Sequence, residues 1–171
     1  YRFADDYDPP VWDPVEDPEF ELDETMVIYG QRRQGKSYLA RYLLLLLRRF
    51  YPTIFVFTGT AFNNFWQQVV PASKVIDVDV DTIEGREETL NGPCMQLLEL
   101  NAKRIMLWKQ MKAEGKRVHG NPLTLVVSDD VVTNDTIKRC PSTTKTMLNG
   151  RHHGLASWVL PQVWKGLTPP Q

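Results

Sequence analysis

The chain has 171 residues, a length that suits one domain with a sizeable buried core. Its 20 basic and 21 acidic residues nearly cancel overall, yet residues 1–24 hold ten acidic residues and one basic, which leaves 19 basic against 11 acidic over 25–171. That excess of positive charge suits a polyanionic partner, or serves to balance the acidic arm. The two cysteines, Cys94 and Cys140, match no metal-ligand spacing and suit a reducing compartment, the acidic N-terminus does not read as a secretory signal, and the apolar run Leu43–Leu47 is too short to span a bilayer.

Residues 1–24 contain four prolines among acids and a few aromatics (Phe3, Tyr7, Trp12, Phe20), which reads as an extended arm or a tail. From Thr25 the pattern changes, so residues 25–171 form the second unit. "TMVIY" fits a buried parallel strand ending at Gly30. "KSYLARYLLLLLRRF" (36–50) is rich in helix formers and stops before Pro52. "TIFVFTG" (53–59) is β-branched and aromatic, a second strand. A short helix is expected over 61–70, a brief strand or extended edge at "KVIDVDV", and irregular chain over 82–94. Leu97, Leu98, Ile105 and Trp108 lie at helical spacing within 94–115, which closes at Gly115. "LTLVVSDD" (123–130) reads as a third buried strand, 134–150 as one or two short helices broken at Pro141, and "LASWVLPQ" (155–162) as a fourth strand. Alternating strands and helices imply an α/β fold, a mostly parallel sheet with helices on both faces.

Three stretches carry chemistry. "GQRRQGKS" (30–37) fits G-x-x-x-x-G-K-[ST] between a strand and a helix, the setting this phosphate-binding loop requires. Gly30 and Gly35 let the backbone wrap phosphates with its N–H groups inward, and the helix N-terminus adds favourable partial charge. Gly30, Gln31, Arg32, Arg33, Gln34, Gly35, Lys36, Ser37 and Tyr38 are thus the expected nucleotide-binding residues. Lys36 is placed on the β- and γ-phosphates and the Ser37 hydroxyl on Mg²⁺. For Arg32 and Arg33 two roles are open: an arginine finger over the γ-phosphate of the same subunit, or a contact with DNA or a partner.

"LVVSDD" runs an apolar strand into Asp129, the form of a strand that holds Mg²⁺ through an acid, with Asp130 next to it to orient the attacking water. A plain N-cap pair is the alternative. Gln162 closes the fourth strand, where a side chain can bond both the γ-phosphate and the water. Arg151, in "GRHHG", is a cation that could reach a phosphate of its own subunit or of a neighbour, or sit solvated on its loop. The adjacent histidines have no partner spaced for zinc.

Taken in order, "MVIYGQRRQGKS", "FVFTGTAFNNFW", "LVVSDDVV", "LNGRHHGLASWVLPQ" and "LTPP" resemble the genome-packaging ATPases of large nucleocytoplasmic DNA viruses, the poxvirus-like branch of the FtsK–HerA superfamily. The resemblance covers about residues 25–171. It implies a RecA-like core, ATP and Mg²⁺ as cofactors, and a homo-oligomeric ring that translocates double-stranded DNA into a capsid. By the same resemblance Lys36 and Ser37 are the Walker A pair and Asp129 and Asp130 the Walker B pair. Gln162 is similar to the family's sensor and Arg151 to an arginine of that loop. A capsid or membrane component of the virion is the further partner implied, for a protein of the host cytoplasm, the viral assembly site and the virion. The wider superfamily carries Glu where this chain has Asp130. The family also continues into another strand after "LTPP", so a core lacking its last strand or strands is expected.

Overall fold

A computed structural model describes residues 21–31, 33–118, 122–133, 136 and 139–161. Five strands form one sheet: β1 (Thr25–Val27), β2 (Thr53–Thr58), β3 (Val75–Asp77), β4 (Thr124–Asp129) and β5 (Leu155–Leu160). Their order is β1-β5-β4-β2-β3 and every pairing is parallel. Both β4 and β5 are buried along their whole length, which is why each reads as an unbroken apolar run.

Side chains alternate across the sheet and build two cores. Leu125, Val127, Ala156, Trp158 and Leu160 pack with Ala40, Leu43, Leu44 and Leu47 of helix α1 (Lys36–Leu47). On the opposite face, Val126, Leu155 and Val159 pack with Cys94, Leu97 and Leu98 of helix α3 (Gly92–Ala113), joined by Met147 of helix α4 (Pro141–Asn149). The expected parallel sheet with helices on both faces is therefore the observed one. At the start of β4 and β5, buried Asn101 ties α3 to the sheet. Its amide nitrogen donates to the carbonyls of His153 and Gly154, and its oxygen accepts from Thr124 Oγ1 at 2.9 Å.

Three local expectations are corrected and one is met. Residues 82–94 are helical: Thr82 caps α2 (Ile83–Arg86) by accepting from the Gly85 N–H at 2.9 Å, and a π turn over Glu87–Asn91 leads into α3. Pro93 falls in the first turn of α3, at the junction where the π turn passes into the α-helix. Residues 61–70 form two 3₁₀ turns, Ala61–Asn63 and Trp66–Gln68, separated where Asn64 turns left-handed at φ 55°. The expected break at Pro141 is present: Thr136 and Arg139 are helical, Cys140 leaves the helical conformation, and Pro141 opens α4 as a first-turn proline. Finally, β1 is half-exposed: among the described residues it pairs with β5 alone and lies at the edge of the sheet. The expected site residues Arg32 and Gln162 and most of the acidic arm lie outside the described residues.

Candidate nucleotide site

In a parallel sheet the C-terminal strand ends share one rim, and here that rim carries the loop. Thr58 of β2, Asp129 of β4 and Leu160 of β5 stand level in the register. The loop after β1 folds on itself: the Gln31 N–H donates to Gln34 Oε1 at 2.8 Å. Arg33 (φ 67°) and Gly35 (φ 81°) are both left-handed, and Gly35 is the N-cap of α1. A side chain at Gly35 would meet open space, so backbone conformation is what demands glycine there.

A cleft of about 620 Å³ opens at this rim, between the loop residues 33–38, the end of β2 at Thr58–Thr60 and the acidic pair Asp129–Asp130. Its size lies within the range of small-molecule and cofactor sites. Lys36 is buried and its ammonium lies 3.8 Å from Asp130 Oδ1. The Ser37 hydroxyl donates to Asp129 Oδ1 at 2.9 Å. The other oxygen, Oδ2, accepts from the indole N–H of Trp66 at 2.8 Å. Burial pushes the Asp129 carboxyl above its ordinary range, against the pull of the Trp66 and Ser37 hydrogen bonds, while Asp130 pushes it up and Lys36 pulls it down.

Asp130 solves a geometric problem. Successive strand residues point to opposite faces, so an Asp-Asp pair in a continuing strand would be split by the sheet. Asp130 instead adopts φ 58°, with its N–H donating to the Leu160 carbonyl at 3.0 Å. The left-handed residue ends the strand and lets both carboxylates line one cleft. Aspartate tolerates that conformation better than most residues do.

The donor set fits Mg²⁺. Two adjacent ligands of an octahedron with bonds of 2.0–2.1 Å lie about 2.9 Å apart. That is the separation of Ser37 Oγ and Asp129 Oδ1. Both atoms are the hard oxygens this ion prefers, and Asp129 faces the cleft beside the loop.

Trp66 was not foreseen as a site residue. It comes from the 3₁₀ turns after β2, and a cluster of rings fixes it. Phe65 packs edge-on against both Trp66 (5.4 Å) and Tyr38 (5.0 Å). Arg41 of α1 lies 4.5 Å over the Phe65 ring and donates to Gln68 at 2.8 Å. The aromatic run "FNNFW" was the available signal. Thr58–Thr60 also escaped notice, although their "TGT" follows a strand end.

Arg151 requires a correction. It is exposed in a 3₁₀ turn, Gly150–His153, that precedes β5. That places it at the opposite end of the sheet from the loop, separated by the six residues of β5, roughly 20 Å at about 3.3 Å per residue. It therefore does not reach a phosphate on its own subunit's loop. The reading that remains for it, apart from a solvated loop residue, is a phosphate on a neighbour.

No family model and no curated protein matches the chain. Solved structures do. TcpA, the conjugation coupling protein of pCW3, in its monomer form with ATPγS, is 17% identical over 85% of this chain and 45% of its own, with a TM-score of 0.53. ATPases 2 and 3 of EssC from Geobacillus thermodenitrificans are 17% identical over 87% of this chain and 30% of theirs, with a TM-score of 0.56. The fold is that of the P-loop ATPases. The chain spans less than half the length of either solved chain. Among the described residues no helix is long and apolar enough to cross a membrane.

Proposed function

We propose that this chain binds Mg–ATP at the cleft, hydrolyses it, and belongs to a motor that moves double-stranded DNA. One observation carries the reading: Lys36, Ser37, Asp129 and Asp130, which lie up to 94 positions apart in the chain, meet in a single cleft at the start of α1. Lys36 binds the β- and γ-phosphates, helped by the N–H groups and the positive end of α1. Ser37 and Asp129 hold the metal, which when bound neutralises charge on the phosphates. Trp66 keeps Asp129 turned toward Ser37. Asp130 accepts a proton from, and orients, the attacking water. Arg151 acts across a subunit interface, as its place at the far end of the sheet leaves open, and Gln162 senses the γ-phosphate.

The 19 basic residues against 11 acidic over 25–171 support a polyanionic partner. The fold shared with TcpA, a conjugation coupling protein, supports a motor in general. The sequence resemblance to packaging ATPases supports the finer reading: a ring that drives viral DNA into a capsid, in the host cytoplasm and alongside a capsid or membrane component.

The test is Mg²⁺-dependent ATP turnover by the full-length protein as duplex length is increased. A motor hydrolyses faster on longer duplex, and Lys36→Ala abolishes nucleotide binding or turnover with the fold intact. Unchanged nucleotide affinity in Lys36→Ala refutes the site. Tight ATP binding with negligible turnover and no duplex effect points to a nucleotide-dependent switch.

A further inference from the structure

Helix α1 is apolar on two faces. Ala40, Leu43, Leu44 and Leu47 face the core. Leu39, Tyr42, Leu45 and Leu46 face outward and remain 48, 59, 51 and 37% exposed. Positions 39, 42 and 45–46 recur at helical spacing, so they form one continuous stripe. Exposed Arg48 and Arg49 follow at its C-terminal end. Among the described residues neither arginine forms an ion pair with a carboxylate, and Arg49 lies over the Phe50 ring at 4.8 Å. A contiguous apolar stripe rimmed by charge marks a surface that something covers.

The chain supplies a matching segment at the right place. Leu22 packs against the α1 side of the core, and its carbonyl accepts from the Tyr51 hydroxyl at 2.7 Å. Tyr51 directly follows the turn Arg48–Phe50 that ends α1. Leu22, the second described residue after the arm, is thus held by the tyrosine that follows the turn carrying Arg48 and Arg49. Residues 1–20 carry seven carboxylates against one basic residue, together with Tyr1, Phe3, Tyr7, Trp12 and Phe20. Both halves of the surface find a counterpart: acids for the arginines, rings for the leucines. Reach is no obstacle. The helix is about 18 Å long, and 20 extended residues span up to about 66 Å. A tethered segment also acts at an effective concentration near millimolar, which favours it over the arm of another copy.

We propose that residues 1–20 dock along the exposed face of α1 of the same chain, acids on Arg48 and Arg49 and rings on Tyr42, Leu45 and Leu46. The arm is then a clamp on the helix whose first turn holds Lys36 and Ser37. Polyanions compete with it for the arginines but leave the leucines bare.

Two measurements on the full chain test this. Hydroxyl-radical footprinting of the unaltered protein should label Tyr42 and Leu45 at least about threefold less at about 50 mM salt than at about 1 M, because the clamp is partly electrostatic. Phe62, which is 81% exposed, serves as the reference whose labelling does not change. Labelling of Tyr42 and Leu45 that tracks Phe62 at every salt concentration overturns the proposal. Second, Val15→Cys is coupled to a benzophenone maleimide and irradiated; Cys94 and Cys140 are buried and stay unlabelled. The expected product joins the arm to residues 36–50 of the same chain, with a yield that falls severalfold in Arg48→Glu/Arg49→Glu. Cross-links to another element, cross-links only between two chains, or a yield that survives the charge reversal each overturn it.

Discussion

Replacing Trp66 by Phe isolates what the indole does for Asp129. The N–H donates at 2.8 Å to a carboxylate oxygen in a buried setting, and Trp66 itself is 1% exposed. A hydrogen bond to a charged group contributes about 1.5–3 kcal/mol, and removing the donor alone leaves the acceptor desolvated. Shrinking the indole to a phenyl adds a cavity cost of about 1 kcal/mol. The sum, about 3 kcal/mol, is a large part of a typical folding free energy.

The two contributions separate by pH. Burial already holds the Asp129 carboxyl above its ordinary range, and Trp66 is the first of the groups that draw it back. Without the donor the folded carboxyl titrates higher still. A raised carboxyl pKa penalises the fold above that pKa, where the unfolded chain is ionised at no cost, and the penalty fades as pH falls and the folded group takes up a proton. The loss of stability in Trp66→Phe should therefore be largest near pH 8 and shrink toward pH 5. Urea unfolding across that range measures it. A difference that stays constant with pH would mean that only the cavity matters, and a difference below about 1 kcal/mol at pH 8 would refute the donor role.

The acidic pair should divide its labour. Asp130→Asn, which keeps a residue that tolerates left-handed backbone, should retain ATP affinity and lose about 10²–10⁴-fold in turnover, whereas Asp129→Asn should also shift the Mg²⁺ titration; equal Mg²⁺ midpoints for both variants would contradict the assignment. At Gly154, φ is 63° and a Cβ would push the terminal methyl of Ile105 aside, so Gly154→Ala should cost about 1–3 kcal/mol, mainly through the left-handed backbone, and lower Tm by roughly 3–10 °C in calorimetry. Cys94 is pushed up to about 11, mainly by burial, so its thiol should resist iodoacetamide at pH 8 until the protein is unfolded. Its raised value contributes stability below the ordinary thiol pKa of about 8.5, and as pH climbs to about 11 up to roughly 3 kcal/mol should be lost in the parent but not in Cys94→Ala.

What the sequence disclosed was what short range encodes. The loop at 30–37 is contiguous, and strand, glycines and helix sit side by side in the chain, so its shape is a local property. The buried strands β4 and β5 announce themselves as apolar runs because both of their faces are covered. Asp129 could be placed because it ends such a run. Trp66 could not, since its meaning depends on a carboxylate 63 positions away. The helical turns over 83–91 were hidden by glycines and a proline that act as breakers only outside the first turn of a helix. Asp130 could be read only as the neighbour of Asp129 suited to orient a water. Its left-handed φ, held where the N–H meets β5, is a tertiary effect.

Arg151 shows how topology decides a question that motif order leaves open. In the linear sequence it sits a few residues before the strand whose far end was expected to sense the γ-phosphate, and that proximity suggested one shared site. Parallel pairing breaks the inference. β5 runs in the same direction as β1, so the residues before β5 share an end with the residues before β1, and the loop after β1 lies at the other end. Within one subunit, then, any arginine finger must come from a segment that follows a strand. Among the described residues Arg33, inside the loop and lining the cleft, meets that condition. A cation from the Gly150–His153 turn can serve only a site on another molecule. The far end of the sheet would then be a surface presented to a neighbour, and the buried Asn101, which anchors the His153 and Gly154 carbonyls to α3, would be what holds that surface in shape.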